Sequence, residues 1–391
     1  MFRILSVIAP IAILLAGIAE AGDWQIEMLD QSGTGKSTSL RIDRDGNAHL
    51  AYVAEDGGFI LKYAFWDHAA KHWFTMNVAT GAGFCSLALD SKQRPHISYA
   101  DYGTGSGAKL RYAHWDGSTW RKEVIPLNSE VIAYYTSIVL DADDRPSISF
   151  YEYRGPRGTD LLDRLRIVTW NGQFWQVRTV DQEGQSGKFN GLAIDGQGHL
   201  HIGYANVSAM TAGMRYAYWN GASWLTEVLD GQRQNDGGTV GYSACIVLDK
   251  QGNPNVAYMN VSHPSLRYAV RRNGRWQIET VDTVSGVGYP DRNSIAIYDN
   301  IPYISYYDAG RGVLKLAHKE GQSWLTEVVD SNSAGFTSSL QIDRGNIWVS
   351  YADEGASGVK VARRELTPRE ASGAPQILEQ MKQNATGKMQ R

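Results

Sequence analysis

The stretch Ser86–Val124 reads SLALDSKQRPHISYADYGTGSGAKLRYAHWDGSTWRKEV and contains four short strand-like segments. Ser86–Asp90 is apolar and ends in an acid, and Pro95–Tyr99 ends in an aromatic residue. Leu110–Trp115 and Trp120–Val124 follow, with Asp, Gly and Ser between the segments. Short segments rich in β-branched and aromatic residues, separated by turn residues, are typical of strands joined by turns. The stretch therefore predicts a small sheet of four antiparallel strands.

The same four-segment unit recurs along the chain with a mean period of 50 residues. The acid that ends the first strand marks each copy, at Asp43, Asp90, Asp141, Asp195, Asp249, Asp299 and Asp343. Four strands per repeat at this period are the signature of a β-propeller blade. The sequence predicts an all-β, seven-bladed β-propeller with four antiparallel strands per blade.

The two ends of the chain are expected to share the last blade. The seventh unit, which includes Leu340, has no Trp-led fourth strand after Arg364. Such a strand stands at the other end instead, where Trp24–Asp30 (WQIEMLD) matches Trp276–Asp282 (WQIETVD). Because an open sheet edge is free to pair with other chains, we expect the N-terminal strand to close the ring.

Three segments are expected, and the first indicates export. Residues 1–21 combine Arg3, an apolar run and the pattern Ala19-Glu20-Ala21, which is typical of a cleaved secretory signal peptide. Residues 22–366 form the propeller, and residues 367–391 form a polar C-terminal tail. The prediction is a secreted or periplasmic protein without a membrane span once the signal is removed.

Composition narrows the range of partners and cofactors. The net charge is −3, with both signs dispersed, so no nucleic-acid footprint is present. Cys85 and Cys245 lie on first strands of distant blades, so we expect two buried, unpaired cysteines. A C-x-x-C-H motif is absent, and two isolated cysteines cannot hold a cluster. We therefore expect a monomer without a redox or nucleotide cofactor.

Residues found in most blades are explained by the repeat itself. Trp66, Trp115, Trp170 and Trp219 share one repeat position, and Trp73, Trp120, Trp175, Trp224, Trp276 and Trp324 share another. A Trp-rich exported protein suggests sugar stacking, but the regular placement favours packing between sheets. His49, His96 and His201 also share one position, which favours a structural role over a metal cluster.

The loops that vary lie on one face, which should carry any binding site. These are the loops between second and third strands and the crossings between blades, which hold the candidate ligand-binding residues. The candidates are Tyr102, Tyr134, Tyr135, Glu152, Tyr153, Arg154, Arg157, Arg164, Asp236, Tyr242, Asp291, Arg292, Asp308 and Arg311.

A ring of oxygen-bearing side chains at the ends of the second strands allows two interpretations. Its members are Asp101, Glu152, Asn206, Asn260, Asp308 and Asp353, and Ala54 interrupts it. Carboxylate and amide oxygens suit a hard cation such as calcium. Because most blades share the position, we favour side chains that cap the strand end by bonding local backbone.

The turn Trp115-Asp116-Gly117-Ser118-Thr119-Trp120 resembles the Asp-box of sialidase-type propellers, which lies between third and fourth strands. The resemblance implies a propeller of that architecture. Sialidases also use three arginines and a Tyr–Glu pair, and Arg154, Arg157, Arg164, Arg292 and Arg311 could supply cations on the variable face. None of them aligns with the family's three arginines, so sialidase activity is not predicted.

Three functional classes remain open. The favoured class is a non-catalytic, lectin-like propeller that binds a glycan or another surface ligand through the variable face. The second is a polysaccharide lyase or glycoside hydrolase on the same face, with Glu152, Tyr153, Arg154 and Asp160 as candidate catalytic residues. Tyr134 or His263 could also move a proton in a lyase, and Asp308 could serve in a hydrolase. The third is a scaffold for protein assembly.

Overall fold

The computed structural model describes residues 23–33, 37–103, 108–128, 131–153, 163–208, 212–231, 240–288, 292–332, 334–353, 355, 357–367 and 370. Twenty-eight β-strands run through these residues and form seven separate four-stranded antiparallel sheets. Within the described ranges, no helix has the length and apolar character needed to cross a membrane.

The strands follow the repeat in chain order, four to a blade. Blades 1 to 3 comprise β2 (Thr38–Ile42), β3 (Ala48–Glu55), β4 (Phe59–Asp67), β5 (His72–Thr80); β6 (Ala82–Leu89), β7 (Pro95–Asp101), β8 (Lys109–Trp115), β9 (Trp120–Val124); and β10 (Ile132–Leu140), β11 (Pro146–Tyr153), β12 (Arg164–Trp170), β13 (Trp175–Asp181). Blades 4 and 5 comprise β14 (Ser186–Ile194), β15 (Leu200–Asn206), β16 (Gly213–Trp219), β17 (Trp224–Gly231); and β18 (Val240–Leu248), β19 (Pro254–Asn260), β20 (Ser265–Arg272), β21 (Arg275–Thr283). Blades 6 and 7 comprise β22 (Ser294–Tyr298), β23 (Ile301–Asp308), β24 (Val313–Glu320), β25 (Ser323–Asp330); and β26 (Ala334–Asp343), β27 (Asn346–Asp353), β28 (Gly358–Glu365) together with β1 (Gln25–Asp30).

This arrangement confirms the seven-bladed β-propeller and its closure by the N-terminal strand. The order in the last sheet is β1-β28-β27-β26, with Gln25 paired to Arg363 and Met28 to Lys360. The strand begins at Gln25, one residue later than predicted. Trp24 precedes it and lies under the Arg364 guanidinium, 5.0 Å from ring centroid to Cζ.

The repeated acid at the end of the first strand has two different roles. In blade 2 the Asp90 carboxylate accepts hydrogen bonds from the backbone N–H groups of Lys92 (2.9 Å) and Arg94 (2.7 Å). Asp43, Asp141, Asp195 and Asp249 cap their turns in the same way. In blade 6 the turn shrinks to Asp299 and Asn300, both with positive φ (48° and 64°), the geometry of a two-residue hairpin.

The repeated Trp and His residues belong to the blades, as the repeat pattern predicts. Trp66 and Trp73 pair across adjacent strands with ring centroids 5.6 Å apart, and three further blades contain the same pair. His49 lies between the Asp43 carboxylate (3.2 Å) and the Tyr63 hydroxyl (2.7 Å). His96 and His201 make the same pair of contacts in their own blades. These contacts lie within single blades, and the Trp residues also pack between sheets, as Trp120 does against Tyr63 of blade 1 (5.3 Å between ring centroids).

An inter-blade bridge of Tyr and Asp joins neighbouring sheets at five interfaces. In one example the Tyr306 hydroxyl donates to the Asp282 carboxylate of the preceding blade (2.6 Å), which also pairs with Lys315. The other four bridges are Tyr52 with Asp30, Tyr204 with Asp181, Tyr258 with Asp230, and Tyr351 with Asp330. Each acid stands six residues after the fourth-strand Trp. That position holds Ala79 in blade 1 and Pro126 in blade 2, so the bridge is missing on both sides of blade 2.

The innermost strands are tied together around the axis by serine side chains. Ser39 Oγ accepts a hydrogen bond from the backbone N–H of Leu87 in the next blade (3.0 Å), and Ser86 Oγ accepts one from Ile138 (3.2 Å). Ser137, Ser294 and Ser339 repeat this bond. Gly191 takes the serine position in blade 4, where a Cβ would lie 3.2 Å from Cys245 Cα. Blades 4 and 5 therefore approach each other by direct backbone packing.

Candidate functional site

One face of the ring, here called the loop face, is where the second strands end and the first strands begin. Ala82 pairs with Asp101 there in blade 2, and Ile132 pairs with Tyr153 in blade 3. The loops between second and third strands and the blade crossings therefore emerge at this face. The capped turns at Asp43 and its equivalents lie at the opposite face.

Aromatic side chains of blades 2 to 5 form a continuous layer at the loop face, here called the aromatic basin. Its members are Phe84, Tyr102, Tyr134, Tyr135, Tyr151, Tyr153, Phe189 and Tyr242. Tyr135, Tyr151 and Phe189 are buried and form its floor. The others are partly exposed, and Tyr102 at the edge is 36% exposed. Ring centroids lie 4.5 Å apart for Phe84–Tyr135 and 4.8 Å apart for Tyr135–Phe189.

Bulges at the starts of the first strands place these rings. Tyr135 and Phe189 have positive φ (53° and 51°), and the register of β10 shifts between Tyr134 and Ser137. β14 shifts in the same way between Lys188 and Gly191. A bulge re-aims a side chain that would otherwise follow the pleat, and positive φ is uncommon for an aromatic residue. The floor of the basin is thus built from a locally strained backbone, a feature that clusters at functional sites.

The position of the Tyr102 side chain depends on Gly83. A Cβ added at Gly83 would lie 1.9 Å from Tyr102 Cε2, so the phenol ring lies directly on the Gly83 backbone. From there its ring reaches Tyr134, 5.9 Å between centroids. The glycine thereby extends the basin from blade 3 to blade 2.

Arg292 crosses from blade 6 to the aromatic basin. Its Cζ lies 5.2 Å from the Phe84 ring centroid and 5.9 Å from that of Tyr135, which are cation–π distances. Its backbone is fixed by hydrogen bonds with Phe336 and Ser338. Burial lowers its pKa from the usual value, although the neighbouring Cys85, Tyr135 and Tyr102 act in the opposite direction. The circular arrangement of the blades thus places the positive charge of Arg292 next to the aromatic basin.

A second polar group borders the basin in blades 3 and 4. The Tyr151 hydroxyl donates to the Asp163 carboxylate, and Lys188 Nζ lies 5.4 Å from the Tyr151 ring centroid. Burial and the hydrogen bond to Asp163 both raise the pKa of Tyr151. The bridge position of blade 3 is held by Phe150, which has no hydroxyl group, and Tyr151 is the next residue along the strand.

Glu152, a candidate for catalysis, is buried within an ion-pair network. Its carboxylate lies 2.6 Å from Arg166 Nη1 and 3.4 Å from Arg164 Nε, and the residue is 0% exposed. The structure therefore places Glu152 and Arg164 in the wall of blade 3, with the Glu152 charge compensated.

The other members of the strand-end ring bond nearby groups. Asp101 Oδ1 accepts from Gly103 N (2.8 Å), and Asn206 Oδ1 accepts from Ser208 N (3.0 Å). Asn260, Asp308 and Asp353 are likewise buried and bonded, to Ser262, Ser285 and Lys360 respectively. Asp101, Asn206 and Asn260 bond the backbone just after their own strands, as strand-end capping predicts. Asp308 instead accepts from the crossing that precedes its blade, and Asp353 forms an ion pair. Among the described residues, no group of three or more His, Cys, Asp or Glu side chains could hold a metal ion.

Of the predicted site residues, the structure brings together Tyr102, Tyr134, Tyr135, Tyr153, Tyr242 and Arg292. Asp308 lies in blade 6 with Arg311, 3.6 Å apart, and the Arg311 side chain is 63% exposed. Neither has a contact with the basin in the described part of the chain. Arg154, Arg157, Asp160, Asp236 and Asp291 lie outside the described residues.

Sequence reasoning missed Phe84, Tyr151, Lys188 and Phe189. A signal was available, since Phe84 and Phe189 occupy the repeat position of Tyr135, five residues before the first-strand end at Leu89, Leu140 and Ile194. Aligning the blades by this position would have shown three consecutive aromatics.

No protein-family model matches this chain, and no curated protein matches it. Solved structures do resemble it. An ulvan lyase of a new polysaccharide lyase family, bound to -[GlcA(1-4)Rha3S]-, aligns with a TM-score of 0.59 and 13% identity over 89% of this chain and 99% of its own. The polysaccharide lyase Uly1 aligns with a TM-score of 0.56 and 10% identity over 84% of this chain and 90% of its own.

A sialidase shares the fold as well. The Hadza microbial sialidase Hz136 aligns with a TM-score of 0.53 and 11% identity, covering 81% of this chain and 73% of that one. At such low identity these likenesses show the fold alone. The chain is thus a seven-bladed β-propeller of an architecture shared with proteins named as sialidases and polysaccharide lyases.

Proposed function

We propose that this protein is an exported, monomeric β-propeller that binds a glycan at the aromatic basin without cleaving it. The observation that carries the proposal is the continuous layer of eight aromatic rings in blades 2 to 5, part of it exposed at the loop face. Blade packing does not explain these rings, because they lie outside the Trp positions that the repeat uses between sheets.

The chemistry of the basin suits a sugar. Tyrosine offers an apolar face and a polar hydroxyl, with little conformational entropy to lose on binding. The buried floor keeps the partly exposed rings of Tyr134, Tyr153 and Tyr242 in place, so the surface is preorganised. The names of the structural neighbours, which include carbohydrate-active proteins, support the same substrate class.

A polysaccharide lyase is the second candidate, because Arg292 and tyrosine rings meet in the basin. A lyase needs a cation to neutralise a uronate carboxylate and a group such as tyrosine to move a proton. Glu152 is a poor hydrolase acid in this setting because its carboxylate already pairs with Arg166. The enzyme alternative therefore rests on Tyr134, Tyr153 and Arg292.

The test is a glycan-array screen followed by titration of each hit and by product analysis. Tyr134→Ala and Tyr153→Ala should each weaken binding about 5- to 100-fold, the effect of losing one aromatic contact worth about 1 to 3 kcal/mol. The matched control is Phe174→Ala, which removes an exposed aromatic ring at a turn on the opposite face and should leave affinity unchanged.

The products separate the alternatives. An intact polymer after prolonged incubation supports binding alone, whereas new unsaturated ends would assign the protein to the lyases. If no glycan on the array binds, or if both Tyr variants bind with wild-type affinity, the glycan-binding proposal is overturned and the scaffold hypothesis is left.

A further inference from the structure

The axis of the propeller contains a cavity of about 400 Å³, formed by the first strands. Thr38, Ser86, Thr136 and Ser339 give it hydroxyl groups, and Asn190 and Asn293 give it amides. Two arginines, Arg41 and Arg292, also line it. Its described lining contains no Asp or Glu, so the formal charge of these walls is positive.

Neither arginine has an acidic partner among the described residues. Among the described residues Arg41 donates to the Leu40 carbonyl (2.7 Å), and burial lowers its pKa to about 10. Arg292 Nη2 is buried and has no hydrogen-bond acceptor in the part of the chain that the structure describes. Its cation–π contacts with Phe84 and Tyr135 stabilise the charge but accept no hydrogen bond.

The residue after Arg292 adds a second donor without a partner. Asn293 is 6% exposed and lines the cavity, and its Oδ1 lies 2.7 Å from Cys245 Sγ. Its buried Nδ2 has no acceptor within the described ranges. Buried donors without acceptors cost free energy unless a ligand or water satisfies them. Two such donors on adjacent residues, one of them charged, match the acceptor oxygens of an oxyanion.

We infer that the axial cavity binds an oxyanion, a carboxylate or a sulfate, against Arg292 and Asn293. Arg292 also borders the aromatic basin, so the oxyanion can be a free ion or the acidic group of a chain that lies in the basin. The second of these possibilities rests on the proposed function, and it implies that the bound glycan carries acidic groups. Arg41 supplies a further positive charge to the same cavity.

The first arm of the test uses small ions and needs no glycan. The thermal midpoint of the protein is followed with rising sodium sulfate and sodium glucuronate, against sodium chloride at equal ionic strength and against glucose. A ligand that binds the folded state raises the midpoint with a saturable concentration dependence. The expected result is saturable stabilisation by the oxyanions beyond that given by chloride or glucose.

Two variants locate the site. Arg292→Gln should raise the apparent Kd about tenfold or more, because it removes the charged donor. Asn293→Asp is nearly isosteric, and its carboxylate would occupy Arg292, so it should abolish the response while keeping the fold. Arg311→Gln, the same charge change on an exposed side chain of the loop face, should respond like the wild type.

Wild-type protein that responds equally to chloride and to the oxyanions would overturn the inference. An unchanged response in both Arg292→Gln and Asn293→Asp would also overturn it, since sulfate then acts through general exclusion from the protein surface.

A second arm titrates an acidic polysaccharide and its carboxyl-reduced form. If the wild type prefers the acidic form and Arg292→Gln loses this preference, the result supports an acidic glycan as the ligand. Equal binding of both forms would exclude the acidic group of a glycan as the oxyanion, while leaving the proposed glycan binding intact. Saturable binding of small oxyanions without any glycan binding would contradict the proposed function and leave the cavity site standing.

Discussion

At the residue scale, Gly83 controls the edge of the aromatic basin. Gly83→Ala would place a methyl group where Tyr102 now lies, and the Tyr102 ring can move because it is partly exposed. We expect a weaker glycan affinity, by about 5- to 10-fold, with a thermal midpoint close to that of the wild type. Titration of the best array hit and a thermal melt measure both quantities.

Gly196→Ala is the control for that variant. Gly196 lies in the capped turn after Asp195, and a Cβ there meets nothing within 4 Å. This control should leave both affinity and stability unchanged. Loss of stability in Gly83→Ala without loss of affinity would show that Tyr102 is a packing residue and not part of a binding surface.

The residue scale also shows where sequence reasoning ends. Tyr134, Tyr135 and Tyr153 were found because they lie in or next to the loops and blade crossings that vary between repeats. Arg292 was found as a loop cation, but its contact with Phe84 joins blade 6 to blade 2 across the axis. Such a contact depends on the diameter of the propeller ring and on the geometry of the bulges. Neither can be predicted from the residue pattern of one repeat.

At the scale of the elements, the Tyr–Asp bridges fix neighbouring blades. Tyr258→Phe removes the hydrogen bond from Tyr258 to Asp230 (2.8 Å) that joins blade 5 to blade 4. We expect a loss of about 1.5 to 3 kcal/mol, the range for a hydrogen bond to a charged group, seen as a lower midpoint in chemical denaturation.

Tyr99→Phe provides the matched comparison. Tyr99 holds the same position in blade 2, where Ala79 replaces the bridging acid, and its hydroxyl makes no such bond in the described residues. This variant should change stability by less than about 0.5 kcal/mol. Equal losses in the two variants would show that the tyrosine ring, and not the bridge, stabilises the blades.

At the same scale, the missing bridges and part of the aromatic basin both fall on blades 2 and 3. Blade 2 has no Tyr–Asp bridge to either neighbour, because Ala79 and Pro126 replace the acids and Phe150 replaces the tyrosine in blade 3. Tyr151, the residue after Phe150, bonds Asp163 and forms part of the floor of the basin. The repeat pattern predicted strands, turns and blade number because those depend on local spacing. It did not predict the missing bridges, because a bridge is a contact between two repeats.

At the scale of the whole molecule, Asp30 carries the closure of the ring. It ends the N-terminal strand in blade 7 and accepts hydrogen bonds from Tyr52 and Lys62 in blade 1, both at 2.8 Å. Burial raises its pKa, but the hydrogen bonds from Lys62, Ser32 and Tyr52 outweigh burial and lower the pKa to about 2.

Because the folded pKa lies below the unfolded value of about 4, ionised Asp30 stabilises the fold above that pH. Its contribution falls as the pH drops from about 4 to about 2. We expect Asp30→Asn to lower the thermal midpoint at neutral pH and to lose less further stability than the wild type over that window. Melts at several pH values measure the difference.

Asp299→Asn is the control, since its side chain is 60% exposed at a hairpin turn. It should follow the wild-type pH profile. An Asp30→Asn profile parallel to that of the wild type would mean that the closure does not depend on the Asp30 charge.

The central claim is that the aromatic basin binds a glycan. The most direct measurement is titration of the best array hit into the wild type, Tyr134→Ala and Phe174→Ala, with analysis of the polymer afterwards. The account predicts saturable binding that weakens about 5- to 100-fold only in Tyr134→Ala and leaves the polymer intact. Equal affinity in all three proteins would contradict it, because the ligand would then bind elsewhere on the propeller.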